Sequence, residues 1–128
     1  MLITRPSLLL AIVLIGGCIA TGAPVTKIES LSADARDAVM KLPVYTESEL
    51  TGKEHAIIDS VEGTSCQFRR DDPAATETDA INEAKYWAKD HGADGVKNVT
   101  CEAPRGKSFF NRCWKRITCT GQAIKFAR

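Results

Sequence analysis

Cys113-Trp114-Lys115-Arg116-Ile117-Thr118-Cys119-Thr120-Gly121-Gln122-Ala123-Ile124-Lys125-Phe126, read against Val96-Lys97-Asn98-Val99-Thr100-Cys101-Glu102, decides the fold of this chain. Both stretches carry the β-branched bias of strands, and a loop at 103–112 joins them. With Cys66 they hold four cysteines, which allow three disulfide connectivities. Six residues of strand separate Cys113 from Cys119 by ~20 Å at about 3.3 Å per residue. A disulfide needs Cα atoms within about 7 Å, so these two do not pair with each other. Two schemes remain: Cys66–Cys113 with Cys101–Cys119, or Cys66–Cys119 with Cys101–Cys113. Spacing does not choose between them. An even separation places Cys113 and Cys119 on one face, directed at the segments that carry Cys66 and Cys101.

Four cysteines in a domain this small imply disulfides and an oxidising compartment. Zinc fits poorly, because close ligand pairs such as C-x₂-C are missing from the sequence. The C-x-x-C of a thiol oxidoreductase is missing too. Closing a loop of roughly 48 residues stabilises by ~4 kcal/mol on chain-entropy grounds, a large contribution for a core of about 80 residues.

Upstream, the strongest helix is predicted from about Pro73 to His91. Asp72 stands at the N-cap, Pro73 at the first helical position and Gly92 at the left-handed stop. Ala80, Ile81, Ala84, Trp87 and Ala88 form its apolar face. Residues 55–61, with Ile57, Ile58 and Val61, read as a strand, after which Gly63-Thr64-Ser65-Cys66 is expected to turn the chain. Pro43-Val44-Tyr45-Thr46 is a short strand candidate. Thr46 and Glu49 have the spacing of a capping box, and Gly52 closes that turn. Before Pro43, Ile28, Leu31, Ala35, Ala38, Val39 and Leu42 recur at helical spacing, as in a modest amphipathic helix or a partly ordered tether. The fold class expected is α+β, a small disulfide-stapled β-sheet packed against one main helix.

The N-terminal leader is a separate signal. Arg5 precedes an apolar run from Leu8 to Ile15, which is shorter than the about 20 residues needed to span a bilayer and fits a secretory segment. Ile15-Gly16-Gly17-Cys18 then has the shape of a bacterial lipoprotein signal, an aliphatic residue and two small ones before the cysteine that receives the lipid. The organisation expected is a signal peptide at 1–17, a lipid anchor and tether at 18–42, and a folded domain at 43–128. Fatty chains such as palmitate on Cys18 would anchor the protein, each buried CH₂ contributing about 0.8 kcal/mol. Ile19, where Asp commonly retains a lipoprotein at the inner membrane, favours the outer membrane of a two-membrane bacterium.

The net charge of +1 hides an asymmetry. From Lys97 to Arg128 the chain holds eight basic residues and one acid, Glu102, while the other fifteen acids fall between Glu29 and Asp94. The bland explanation is neutralisation of one half by the other in the fold; the functional one is a basic face for an acidic partner or an anionic envelope surface. An exported, anchored chain has little use for nucleic acid. Arg105, Lys107, Phe109, Phe110 and Arg112, in or beside the 103–112 loop, are the candidate partner surface. Catalysis is not expected: His55 and His91 are the only histidines, no motif sets either beside a nucleophile, and no cofactor or metal is implied.

Tyr45-Thr46…Glu49-Leu50…Gly52-Lys53, Val61…Gly63…Ser65-Cys66, Ala93…Val96…Cys101-Glu102 and Cys113…Cys119…Gly121…Ala123 together resemble the RcsF family of outer-membrane stress-sensor lipoproteins. The resemblance runs from about Val44 to Lys125, and its specific part is the four-cysteine pattern. It implies a small α+β domain with interleaved disulfides, which here would be Cys66–Cys113 and Cys101–Cys119. It implies an envelope-stress sensor that activates the Rcs phosphorelay by contacting an inner-membrane repressor, IgaA. It also implies loading onto outer-membrane β-barrel proteins by the barrel-assembly protein BamA. The chain departs from the family in two places. Residues 19–42 have Pro24 as their one internal proline instead of a proline-rich tether, and the loop between Cys101 and Cys113 is longer. A generic envelope-binding lipoprotein on the same scaffold, without signalling, is the alternative.

Overall fold

The computed structural model describes residues 28–103 and 112–128. In chain order they form α1 (Ala33–Met40), β1 (Val44–Tyr45), β2 (His55–Gln67), α2 (Glu77–Asp90), β3 (Gly95–Glu102) and β4 (Lys115–Phe126). The strands make one four-stranded sheet in the order β1-β3-β4-β2. β4 is central and antiparallel to both β2 and β3, while the two residues of β1 pair in parallel with Val96 and Lys97. The fold is α+β, as the sequence pattern predicts.

α2 lies across one face of the sheet. Its stripe of Ala80, Ala84 and Ala88 is fully buried, because small side chains let the helix backbone come down close to the strands. Gly63 of β2 is the other half of that approach. A Cβ there would run into the Ala80 carbonyl oxygen and would sit 2.5 Å from the Ala84 nitrogen. Leu42, Val61, Ala93, Val96 and Ala123 complete the cluster, with Trp87 and Val99 packed against it.

This explains one departure from the predicted elements. Gly63-Thr64-Ser65-Cys66 is not a turn; β2 continues through it for thirteen residues. The glycine is required by the helix above, not by a reversal of the chain. The start of α2 also differs. The N-cap is Thr76, whose hydroxyl accepts from the Asp79 amide at 3.1 Å. Asp72 and Pro73 lie before the helix. The Asp72 carboxylate accepts from the Arg69 amide at 2.9 Å and so organises the preceding loop. The Thr76 amide donates to Ser65 Oγ at 3.0 Å, which fixes where the helix begins over the sheet. Its end follows expectation, with Gly92 at φ +79.

The helical spacing before Pro43 produces α1, capped by Ser32, with Val39 and Leu42 buried. α1 packs against α2, where the Lys85 ammonium donates to the Met40 carbonyl at 3.1 Å; partial burial lowers the Lys85 pKa. The Thr46 turn closes as its spacing predicts. Glu49 Oε2 accepts from the Thr46 amide at 2.7 Å, and Thr46 Oγ1 accepts from the Glu49 amide at 3.3 Å. The hydrogen bond from the Thr46 amide, then that from its hydroxyl, holds the Glu49 carboxyl below the usual carboxylate range.

β2 is a border strand of the sheet, and two of its amides are occupied away from β4. The Ser60 amide donates to Asp59 Oδ1 at 2.8 Å, next to a register shift between Ile57 and Asp59. The Thr64 amide donates to Glu83 Oε2 of α2 at 3.4 Å. β3 has its own irregularity between Lys97 and Thr100, where Asn98 takes φ 54 and its side-chain amide donates to Gln122 at 2.8 Å.

Candidate functional site

The disulfides are Cys66–Cys113 and Cys101–Cys119, with Cα separations of 5.4 and 4.0 Å. This is one of the two schemes that spacing leaves open, and the one implied by the resemblance. Cys101 and Cys119 face each other directly in the β3–β4 ladder. Cys119 is opposite Gly63 in the β2–β4 ladder and is fully buried beneath the start of α2, its sulfur 3.9 Å from the Glu77 carbonyl oxygen. Cys66 has the opposite parity to Val61, Gly63 and Ser65, so it projects from the sheet face away from α2. The two bridges therefore staple opposite faces. The expectation that Cys113 and Cys119 share a face fails because β4 starts at Lys115, and strand parity does not extend back to Cys113.

Both bridges lie toward one end of the sheet, where β2 and β3 finish and β4 begins. The Trp114 amide donates to the Gln67 carbonyl at 2.6 Å, and Lys115 is opposite Gln67 in the ladder. That pairing brings the loop after β2 alongside the lead into β4. Gln67, itself buried, donates through Nε2 to the Arg70 and Asp72 carbonyls, both at 3.0 Å, and so anchors the loop from below. The result is an end surface with two large exposed apolar side chains, Phe68 at 37% and Trp114 at 39%. Around them are the exposed basic residues Arg69, Arg70, Arg112 and Lys115.

Of the residues singled out in the sequence for partner contact, Arg112 is exposed at this end, between Cys113 and the loop. Arg105, Lys107, Phe109 and Phe110 lie outside the described residues, as does the lipid-attachment candidate Cys18 with its signal peptide. Sequence reasoning missed Phe68, Arg69 and Arg70. The signal was available, since Phe-Arg-Arg follows Cys66 by two residues; a cysteine bridged to Cys113 carries whatever follows it to the foot of the 103–112 loop.

Other places have settled roles. His55 is within 2.8 Å of the Lys53 carbonyl and 3.1 Å of the Lys97 ammonium, on the face away from α2. His91 Nδ1 lies 2.9 Å from the Asp59 carboxylate, a contact that ties the end of α2 to β2. A shallow depression of about 450 Å³ lies over Ser60, Glu62, Asn98, Thr120 and Gln122 on the open face. Among the described residues no three His, Cys, Asp or Glu side chains gather as a metal site, and no helix is long and apolar enough to cross a membrane. No protein-family model matches the sequence, and no curated protein is significantly similar to it.

Proposed function

We propose that this chain is an envelope-stress sensor of the RcsF type. Lipidated at Cys18 and held at the outer membrane, it would activate the Rcs phosphorelay through contact with an inner-membrane repressor of the IgaA kind. A barrel-assembly protein like BamA would load it onto β-barrel partners. The observation that supports this reading is the crossed pairing of Cys66 with Cys113 and Cys101 with Cys119 on a small α+β scaffold. That pairing is the one the resemblance implies, and it serves a physical purpose. It clamps both faces of one sheet end, so a contact surface there is presented rigidly and ordering costs little on binding. The domain performs no chemistry in this scheme. Stress changes where it is held, and its effective concentration at the repressor rises.

The decisive experiment deletes the gene and follows a reporter of the Rcs phosphorelay during outer-membrane damage. Loss of the response, restored by the wild-type chain but not by Cys18→Ser, is the expected result. An undiminished response in the deletion strain refutes signalling and leaves an envelope-binding lipoprotein. Radiolabelled palmitate incorporation and membrane fractionation test the anchor independently.

A further inference from the structure

We infer that the Cys66–Cys113 bridge is a thiol–disulfide exchange site, opened by a dithiol oxidoreductase, while Cys101–Cys119 is closed to that chemistry. An attacking thiolate must reach one sulfur of a bridge, and the other must leave as a thiolate. Neither direction works at Cys101–Cys119. Cys119 is fully buried beneath α2, so attack there is blocked. Attack at the half-buried Cys101 would expel Cys119 as an anion into that enclosed site, with its sulfur 3.9 Å from the Glu77 carbonyl oxygen. At the start of α2 the amides of Thr76 and Asp79 already donate to the Ser65 and Thr76 hydroxyls. The other bridge differs on both counts. Cys66 and Cys113 are both half-buried, and Cys66 projects from the open face of a border strand. Arg116 is directly opposite Cys66 in the β2–β4 ladder, so the two share that face. A cation beside Cys66 stabilises it as the departing thiolate and directs attack to Cys113. The acids of this end do not cancel that placement. Glu62 and Glu102 share the face but are opposite Thr120 and Thr118, in ladder rows farther from Cys66. Asp71 and Asp72 are in the following loop with Arg69 and Arg70, and Glu77 and Asp79 begin α2 on the far side of the sheet, with Cys119. One thiolate of the dithiol bonds to Cys113 Sγ, and the electron pair of the broken S–S bond passes to Cys66 Sγ. The second thiolate then attacks its own partner sulfur in the mixed disulfide and releases Cys113. The two protons of the dithiol end on Cys66 and Cys113, and the dithiol is oxidised to a disulfide by two electrons. This chain is the substrate of that exchange, and the inference does not rest on the signalling role.

The test uses the full chain with Cys18→Ser, so that the remaining cysteines are those of the two bridges. Reduced thioredoxin is the probe; aliquots are quenched with acid, alkylated and mapped as peptides. In the initial phase Cys66 and Cys113 should be labelled about tenfold faster than Cys101 and Cys119. A thioredoxin lacking its second active-site cysteine should be trapped on Cys113. Arg116→Gln should slow the opening about threefold, and Arg116→Lys should keep most of the wild-type rate, which separates the charge from the fold. The selectivity should vanish when dithiothreitol acts on the chain unfolded in guanidinium. Equal initial labelling of the four cysteines in the folded chain, earlier opening of Cys101–Cys119, or a probe trapped on any other cysteine overturns the inference. So do selectivity that persists in guanidinium and inertness of both bridges to the probe.

Discussion

Replacing Gly63 with alanine tests the central packing argument with a single methyl group. A Cβ at this position faces backbone on two sides, the Ala80 carbonyl oxygen and the Ala84 nitrogen, the latter at 2.5 Å. Neither can rotate away. To restore ordinary contact near 3.4 Å with the nearer of the two, the Ala80 oxygen, α2 must withdraw from β2 by roughly 1.5 Å. That withdrawal loosens the whole stripe of Ala80, Ala84 and Ala88 and opens space beside Val61. Overpacking of this kind costs typically 1–3 kcal/mol, and rigid backbone places Gly63 at the upper end, about 3 kcal/mol. Alanine recovers about 0.5–1 kcal/mol through the smaller entropy of its unfolded chain. The net destabilisation is about 2 kcal/mol, which lowers the melting temperature of a domain this size by roughly 8–16 °C. Thermal and urea unfolding followed by circular dichroism, with the disulfides intact, measures it. Gly52→Ala is the control: its φ of +77 imposes strain of about 1–2 kcal/mol, yet no atom lies within 4 Å of the added Cβ. It should therefore unfold without shifting α2, and near-ultraviolet circular dichroism of Trp87 should match the wild type. Should Gly63→Ala melt within about 0.5 kcal/mol of wild type, α2 does not approach the sheet as described.

Removing either disulfide should destabilise the domain. Cys66–Cys113 spans 47 residues and Cys101–Cys119 spans 18, so chain entropy sets losses of ~4 and ~3 kcal/mol, to be read from urea midpoints of the paired Cys→Ala variants. Thr76→Ala removes the cap of α2 and should cost about 1 kcal/mol, whereas Asp72→Ala should leave helix content in far-ultraviolet circular dichroism unchanged. Glu49 has its folded pKa lowered by the Thr46 amide and hydroxyl. Its stabilising contribution is therefore present above the ordinary carboxylate range and disappears as pH falls through the lowered folded value. An NMR titration should show Glu49 protonating at lower pH than an unperturbed glutamate, and Thr46→Val should move it upward.

The parts of this fold legible in the sequence are those specified by local periodicity. β4 could be read from its β-branched bias, and the distance from Cys119 within it to Cys113, two residues before its start, removed one disulfide scheme without reference to any partner. The stop at Gly92 and the capping box at Thr46 are likewise local. What could not be read depends on contacts distant in sequence. Asp72-Pro73 has the form of a helix start, but the Asp72 carboxylate finds the Arg69 amide first, and Ser65 selects Thr76 instead. Gly63 has the form of a turn because glycine alone does not reveal that Ala80 and Ala84 will press on it. The end surface was half legible: Arg112 was singled out, while Phe68, Arg69 and Arg70 join it only after Cys66 is bonded to Cys113.

The border strand β2 has a consequence for life at high density. A thirteen-residue ribbon at the rim of a sheet would ordinarily invite a neighbour to zip on and seed fibrous growth. Here the carboxylates of Asp59 and Glu83 occupy donors at Ser60 and Thr64, and a kink interrupts the run near Ile58. A strand arriving along that rim finds those two donors already taken by carboxylates and the register broken beside them, so a long, regular zip along β2 is disfavoured there.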